Sequence, residues 1–354
     1  MHHASSRLRP WAQLTTGRPA ALRSPPGAAA VAGAVAELQR CDAVTLVPST
    51  LHGAWDLGGM FDARHETLHV DAEVYPVLRI AEMRARSHGV AVRNITHHDP
   101  TALKRSIGGD TRRPVVLVDG LCSGCGAPAP LGPYLAAVRP RGGLIVVDDT
   151  QAVGILGVPG GGVSAWGRGG GGSLRHHGLE LAPDVLLLTS MAKALGAPLA
   201  AIGGSRALVE RYERDAFTRV HCSPPSVAAI RALEHALSVN DHSGERRRRH
   251  VATAVRRLRS GLRRLGVAVD GGPFPVQSLT PLPRTAAVLL HRGLLDAGIC
   301  SVPQLCARGR AGRVVFLLTA ASSDIDVDMA LHAIAQSPQL PSLRRAGTQA
   351  NVVA

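Results

Sequence analysis

Apolar residues along this chain fall into two alternating rhythms. Short runs, AVTLV (43–47), VAVRNI (90–95), RPVVLVDGL (113–121), GGLIVVDDT (142–150) and DVLLLTS (184–190), predict strands. Those at 113–121, 142–150 and 184–190 are continuously apolar, the pattern of strands covered on both faces of a parallel sheet. Between the strands lie segments with helical spacing. VYPVLRIAEMRARSHG (74–89) stops at a glycine, DPTALKRSI (99–107) starts at Asp99 as N-cap, and LGPYLAAVRP (131–140) is a third. The strand–helix alternation over 40–235 predicts a doubly wound, mostly parallel α/β domain.

From about residue 240 the rhythm changes. ERRRRHVATAVRRLRSGLRRLG (245–266) predicts a helix with Val251, Val255, Leu258 and Leu262 on one apolar face. A short strand near VAV (267–269), a helix at 285–298, the strand RVVFLLTA (313–320) and a helix at 326–336 complete a smaller C-terminal α/β domain. The expected organisation is a loosely ordered arm over 1–26, a large domain over 27–238, a small one over 239–336 and a tail over 337–354. The glycine-dense stretch at 157–178 reads as a loop, and no internal repeat is visible.

Composition adjusts this picture only in places. At 354 residues the chain can bury a large core. A formal charge of +14 with 3% aromatic residues fits a general preference for Arg, Ala, Val, Leu and Gly. That preference weakens a nucleic-acid reading, which remains open as the class a polyanion partner would require. No apolar run reaches the roughly 18 residues that span a bilayer. The GAAAVAGAVAEL segment continues into QRCDAVTLV as an ordinary helix and strand, so a cytoplasmic setting is expected. Six cysteines, including CSGC at 122–125, match neither a secreted disulfide framework nor a paired zinc motif.

The candidate chemistry stands at strand ends, where open parallel sheets bind ligands. LIVVDD ends in Asp148 and Asp149, VLLLTS ends in Ser190 with Lys193 three residues on, and VTLVPST ends in Ser49 and Thr50. Lys193 is one of only two lysines, the other being Lys104, in a chain that otherwise uses arginine. An amine, a carboxylate and hydroxyls near helix amides are the groups that a pyridoxal 5'-phosphate site requires. The amine forms an imine with the aldehyde, and the carboxylate keeps the pyridine nitrogen protonated. Hydroxyls and helix N-terminal amides hold the phosphate. Arginine cannot replace that lysine, because it stays charged.

Five stretches carry a family resemblance over about 40–335. SMAKALGAP resembles the lysine attachment segment of class II pyridoxal-phosphate enzymes, and VVDDTQAVGILG (146–157) resembles their strand-end Asp motif. GRGGGGSLRHHGL and SPPSVAAIRALEHAL (223–237) are similar to the family's glycine loop and Pro-Pro helix, and LCSGCGAPAPLGPYLAAV (121–138) to its Ser-containing loop. The chain is identified as a member of the fold-type I enzymes (class I/II aminotransferase superfamily), and resembles the α-oxoamine synthase subgroup. The resemblance implies Lys193 as Schiff-base lysine and Asp148 as ring-nitrogen partner. Ser190, Ser49 and Thr50 would meet the phosphate, and Ser123 would lie near the cofactor. It also implies a homodimer and a transferase acting on an amine or amino acid with an acyl-CoA.

Three positions depart from the family pattern. Gln151 stands where a histidine usually meets the cofactor's phenolic oxygen, and Tyr75 where a histidine stacks on the ring. Arg313 is kept, but Val315 replaces the arginine that grips a substrate carboxylate. These changes bring aminotransfer close behind acyl-CoA condensation. They also leave open an accessory protein that keeps the fold without turnover.

Overall fold

The computed structural model describes residues 14–160, 166–305 and 311–350. These divide into two compact units, one within Met1–Cys122 and Pro128–Gly244, the other within Ser123–Ala127 and Glu245–Ala354.

The first unit is built on a seven-stranded sheet. Its strands are β1 (Ala43–Val47), β2 (Glu66–Asp71), β3 (Ala91–Ile95), β4 (Arg113–Asp119), β5 (Leu144–Asp148), β6 (Val185–Ser190) and β7 (Ala200–Gly204), in the order β1-β7-β6-β5-β4-β2-β3. β7 runs antiparallel to both neighbours and the remaining pairings are parallel. The α/β, mostly parallel architecture expected from the apolar runs is therefore the one observed. Alternate residues of one strand enter different cores. Val115, Leu117, Val146, Leu186 and Leu188 join one cluster, whereas Val116, Val118, Ile145, Val147, Val185 and Leu187 join another. Both faces are covered, which explains the missing polar alternation. Each such side chain withdrawn from water contributes roughly 1.5–3 kcal/mol before entropy is counted.

Two strands carried no clear sequence signal. β2 reads ETLHVD, yet all six residues are buried. Its polar members are each matched. Glu66 pairs with Arg113 and with Arg211 (3.3 Å), Thr67 Oγ1 donates to Asp110 (2.9 Å), and His69 Nδ1 lies 2.9 Å from Ser106 Oγ. Asp71 accepts the His98 N–H at 2.9 Å and lies 2.7 Å from His97 Nδ1. Burial of such groups is tolerated only with partners of this kind. β7 (AAIGG) is too small in its side chains to show a strand pattern, but is fully buried between β1 and β6.

Helices cover the sheet, three of them where the spacing predicts and one, Thr50–Gly59, where the sequence reads only as a turn. Thr50–Gly59, Pro76–Ser87, Pro100–Gly108 and Leu131–Val138 follow their strands, and Asp99 caps the third by accepting N–H groups of Thr101 (2.8 Å) and Ala102 (3.0 Å). Gly53 lets the first of these lie flush on the sheet, since a Cβ there would stand 2.6 Å from Leu188 Cδ1. The stretch expected as a loop at 157–178 includes one short helix, Ser173–His177. Gly172 precedes it at φ +85°, and a Cβ there would run into the Asp149 carboxylate.

In the second unit, β8 (Val269–Asp270), β9 (Val276–Leu279), β10 (Leu282–Pro283), β11 (Val302–Leu305) and β12 (Ala311–Leu317) form an antiparallel sheet. Helices Arg284–Asp296 and Asp324–Gln336 pack with it through Leu290, Leu294, Val327 and Ile334. The Pro-Pro segment and the basic helix expected separately belong to one 38-residue helix, Val227–Arg264. Two of its arginines are engaged locally: Arg257 with Asp328 (2.5 Å), and Arg259 with the Gly272 carbonyl (3.1 Å) and Gln277 (2.8 Å). The expectation of a tail over 337–354 is corrected by the helix Leu340–Ala350, whose Leu343 is fully buried in this core. In sequence that helix offers two leucines, Leu340 and Leu343, near its start, too few to show a period.

Replacing Gly172 by Ala combines a disfavoured backbone conformation with the loss of room for Asp149. It is expected to destabilise the protein by roughly 2 kcal/mol or more, measurable as a shift in urea midpoint against wild type.

Candidate active site

Strand register collects the candidate groups at one edge of the large sheet. Asp119 at the end of β4 pairs with Asp148 at the end of β5, and Asp148 with Leu188 in β6. Ser190 at the end of β6 pairs with Ala200, which in turn pairs with Val47 at the end of β1. Ser49 and Thr50 follow directly and leave the same end of the sheet. Ser49 caps the helix Thr50–Gly59, accepting the His52 N–H at 3.4 Å, with its hydroxyl 2.8 Å from His52 Nδ1.

Lys193 lies in the turn joining β6 to β7. Met191 and Ala197, both fully buried, anchor its two arms, and their backbones are joined by the Ala197 N–H to Met191 carbonyl bond at 2.9 Å. Met191 N–H also donates to the Leu199 carbonyl at 2.9 Å, and Gly196 N–H to the Lys193 carbonyl at 3.3 Å. Small residues are needed for so tight a turn. They leave the lysine projecting from it, with its ammonium 4.7 Å from the Tyr75 ring centre. Tyr75, 43% exposed, is the residue before the helix Pro76–Ser87. Its N–H donates to both Asp119 oxygens, at 2.9 and 3.2 Å.

Thr150 ties the two central strand ends together. Its N–H donates to Asp148 Oδ1 at 3.0 Å, and its Oγ1 accepts the Ser190 N–H at 2.9 Å. Gln151 follows, half-buried, in the turn that leaves β5. Asp149 points away from this group. It accepts the Ser173 N–H (3.1 and 3.2 Å) and a Gln39 amide N–H (3.3 Å), and so holds the fold together. Ser123 falls in the Ser123–Ala127 turn, which clusters with the second unit, where the Cys125 carbonyl accepts the Gly272 N–H at 3.0 Å. In that unit Val315 is buried within β12 between Val302 and Ser278, and Arg313 donates to Asp270 at 2.6 Å.

Electrostatics distinguish the groups. Burial raises the Asp148 carboxyl above its usual value, opposed by hydrogen bonds from Thr150. Burial and then the neighbouring Asp148 push Asp119 up to about 8, while the Tyr75 N–H and Lys193 oppose the rise. The Lys193 amine is lowered by desolvation, although its side chain reaches solvent, and Asp148 and Asp119 work against that lowering. The arrangement thus presents a nucleophilic amine, a carboxylate pair that can hold one proton, and an aromatic face. Asp119 and Thr150 were missed in the sequence reading. Asp119 had a legible signal, since VVLVD ends a buried strand in an acid as LIVVD does. Thr150 had none.

A doubly wound sheet with a lysine turn and acids at its carboxyl edge is the frame of a cofactor-dependent group-transfer fold. The sequence pattern of the aminotransferase class I and II family matches residues 32–334, and the chain belongs to that family. It is 33% identical over 254 residues to 8-amino-7-oxononanoate synthase of Nitrosococcus oceani, an alignment covering 70% of this chain and 64% of that one. The chain therefore spans slightly under two thirds of the length of that curated relative. Among solved structures, serine palmitoyltransferase of Sphingomonas wittichii superposes with a TM-score of 0.82 over 99% of this chain and 84% of that one, at 18% identity. A variant of SPT with PLP gives a TM-score of 0.81 over 99% and 84%, at 14% identity. These two likenesses establish the fold.

Because two carboxylates keep Lys193 charged against desolvation, removing one exposes the amine. In a Lys104→Arg background Lys193 is the sole lysine. Its labelling by an amine reagent is expected to begin at lower pH in Asp148→Asn than in the parent. Mass spectrometry across a pH series reads the difference.

Proposed function

We propose that this chain is a pyridoxal 5'-phosphate-dependent transferase of the α-oxoamine synthase type, condensing an amino acid or amine with an acyl-CoA. The observation that carries the reading is the lysine amine of the β6–β7 turn, set against an aromatic ring at 4.7 Å and coupled to the buried strand-end Asp148. The names of the relatives, a synthase and a palmitoyltransferase, support the condensing type.

The residues fit the cofactor by their chemistry. Asp148 would meet the pyridine nitrogen, Tyr75 would lie on the ring, and Gln151 would serve the phenolic oxygen. Ser190 and the Ser49–Thr50 helix start would hold the phosphate through hydroxyls and amides. When bound, the cofactor supplies an electron sink for charge developing at the substrate Cα. Lys193 Nζ would hold the cofactor and would serve as the base for the substrate Cα proton. Its lowered pKa suits both tasks, because the neutral amine is the reactive form. Burial of Asp148 concentrates its field on one site instead of on water. A cytoplasmic homodimer accompanies this reading.

Aminotransfer is the second reading, and one observation favours it. Val315 is buried and Arg313 is engaged by Asp270, so neither position offers a free guanidinium to grip a substrate carboxylate. A third reading, an accessory protein without turnover, has against it the retention of Lys193 in a chain nearly devoid of lysine.

Titrating purified protein with pyridoxal 5'-phosphate should produce a new visible absorbance band that borohydride abolishes, fixing the label on the peptide containing Lys193. Lys193→Ala should show neither. An identical spectrum in the variant would end the cofactor assignment. In a substrate screen, amines without a carboxylate are expected to rival α-amino acids in kcat/KM. A strong preference for α-amino acids would contradict the reading of Val315.

A further inference from the structure

Beyond its charge near Lys193, Asp119 is the group that anchors Tyr75. Tyr75 as a residue is 43% exposed, so packing alone does little to fix its side chain. Its backbone is held instead. Both Asp119 oxygens accept the Tyr75 N–H, Pro76 follows at the first helical position, and the Leu78 N–H donates to the Tyr75 carbonyl at 3.0 Å. Asp119 is itself immobile. It ends β4 in register with Asp148, and the next residue, Gly120, donates its N–H to the Asp148 carbonyl at 2.9 Å. A helix's first N–H groups have no partner within the helix, so this carboxylate replaces an acceptor that the helix cannot provide.

We propose that Asp119 is a positioning residue that seats the Tyr75 amide and thereby places the Tyr75 ring over the cofactor plane beside Lys193. The proposal rests on the cofactor reading given above and extends it to a residue that touches neither cofactor nor substrate. One strand-end row then does two jobs. Asp148 addresses the ring edge, while its register partner addresses the ring face through a neighbour's backbone. The alternative is that Asp119 matters only as a charge near Lys193. The two are separable, because asparagine keeps an acceptor oxygen and loses the charge.

The probe is pyridoxamine 5'-phosphate, which forms no imine with Lys193, with its dissociation constant measured by fluorescence titration. Asp119→Ala and Tyr75→Leu should each weaken binding about three- to tenfold, the range of an aromatic stacking contact. Asp119→Asn should stay within about twofold of wild type. The double variant Asp119→Ala/Tyr75→Leu should bind no more weakly than Tyr75→Leu alone, since both changes remove one ring contact. In wild type, where folding is not at issue, the Tyr75 amide should exchange its hydrogen slowly. Wild-type affinity in Asp119→Ala, a loss in Asp119→Asn equal to that in Asp119→Ala, additive losses in the double variant, or rapid Tyr75 exchange would each overturn the proposal. No binding of the probe by wild type would instead bring down the cofactor reading, and the proposal with it.

Discussion

The structure depends on carboxylates buried at the ends of adjacent strands. In sheet order β5, β4 and β2 are neighbours, and they end in Asp148, Asp119 and Asp71. Withdrawing such groups from water costs several kcal/mol each unless hydrogen bonds replace the lost hydration. Each finds a backbone N–H from the segment that follows a strand: Thr150 for Asp148, Tyr75 for Asp119, and His98 for Asp71. The loops at this edge are therefore shaped around the acids. The charges that make the site chemically useful also dictate where its walls stand.

The same logic explains why lysine persists at one position in an arginine-rich chain. A guanidinium in the β6–β7 turn would satisfy Asp148 and Asp119 equally well as a cation. It would not give up its proton. Desolvation lowers the Lys193 amine while Asp148 and Asp119 oppose the lowering. Neither influence alone would suit the two tasks proposed for this amine, bonding to carbon and carrying a proton.

Much of this was legible in the sequence, for reasons tied to particular residues. Strands β4, β5 and β6 announced themselves because both their faces are apolar, and the Lys193 turn because its neighbours are small. β2 was invisible because its buried Glu66, Thr67, His69 and Asp71 find partners far away in sequence, such as Arg211 and Asp110. Sequence spacing cannot announce such pairings. β7 was invisible because a strand of alanine and glycine looks like a turn. The helix Leu340–Ala350 reads as a tail in sequence because its apolar attachment rests on the closely spaced Leu340 and Leu343. At the site, acids at strand ends could be read directly, and Asp119 met that criterion. Thr150 acts through a hydroxyl bridging two strand ends, a contact that exists only once the strands are aligned.

The placement of β7 between β6 and β1 has a mechanical consequence. The turn bearing Lys193 connects two interior strands that pair with each other, so both of its ends are hydrogen-bonded into the middle of the sheet. Mobile loops in proteins normally belong to the regions that open first. This one can swing only if central pairing is broken, which ties the bearing of the amine to the most cooperative part of the unit. The amine is thus mounted on the stiffest part of the sheet.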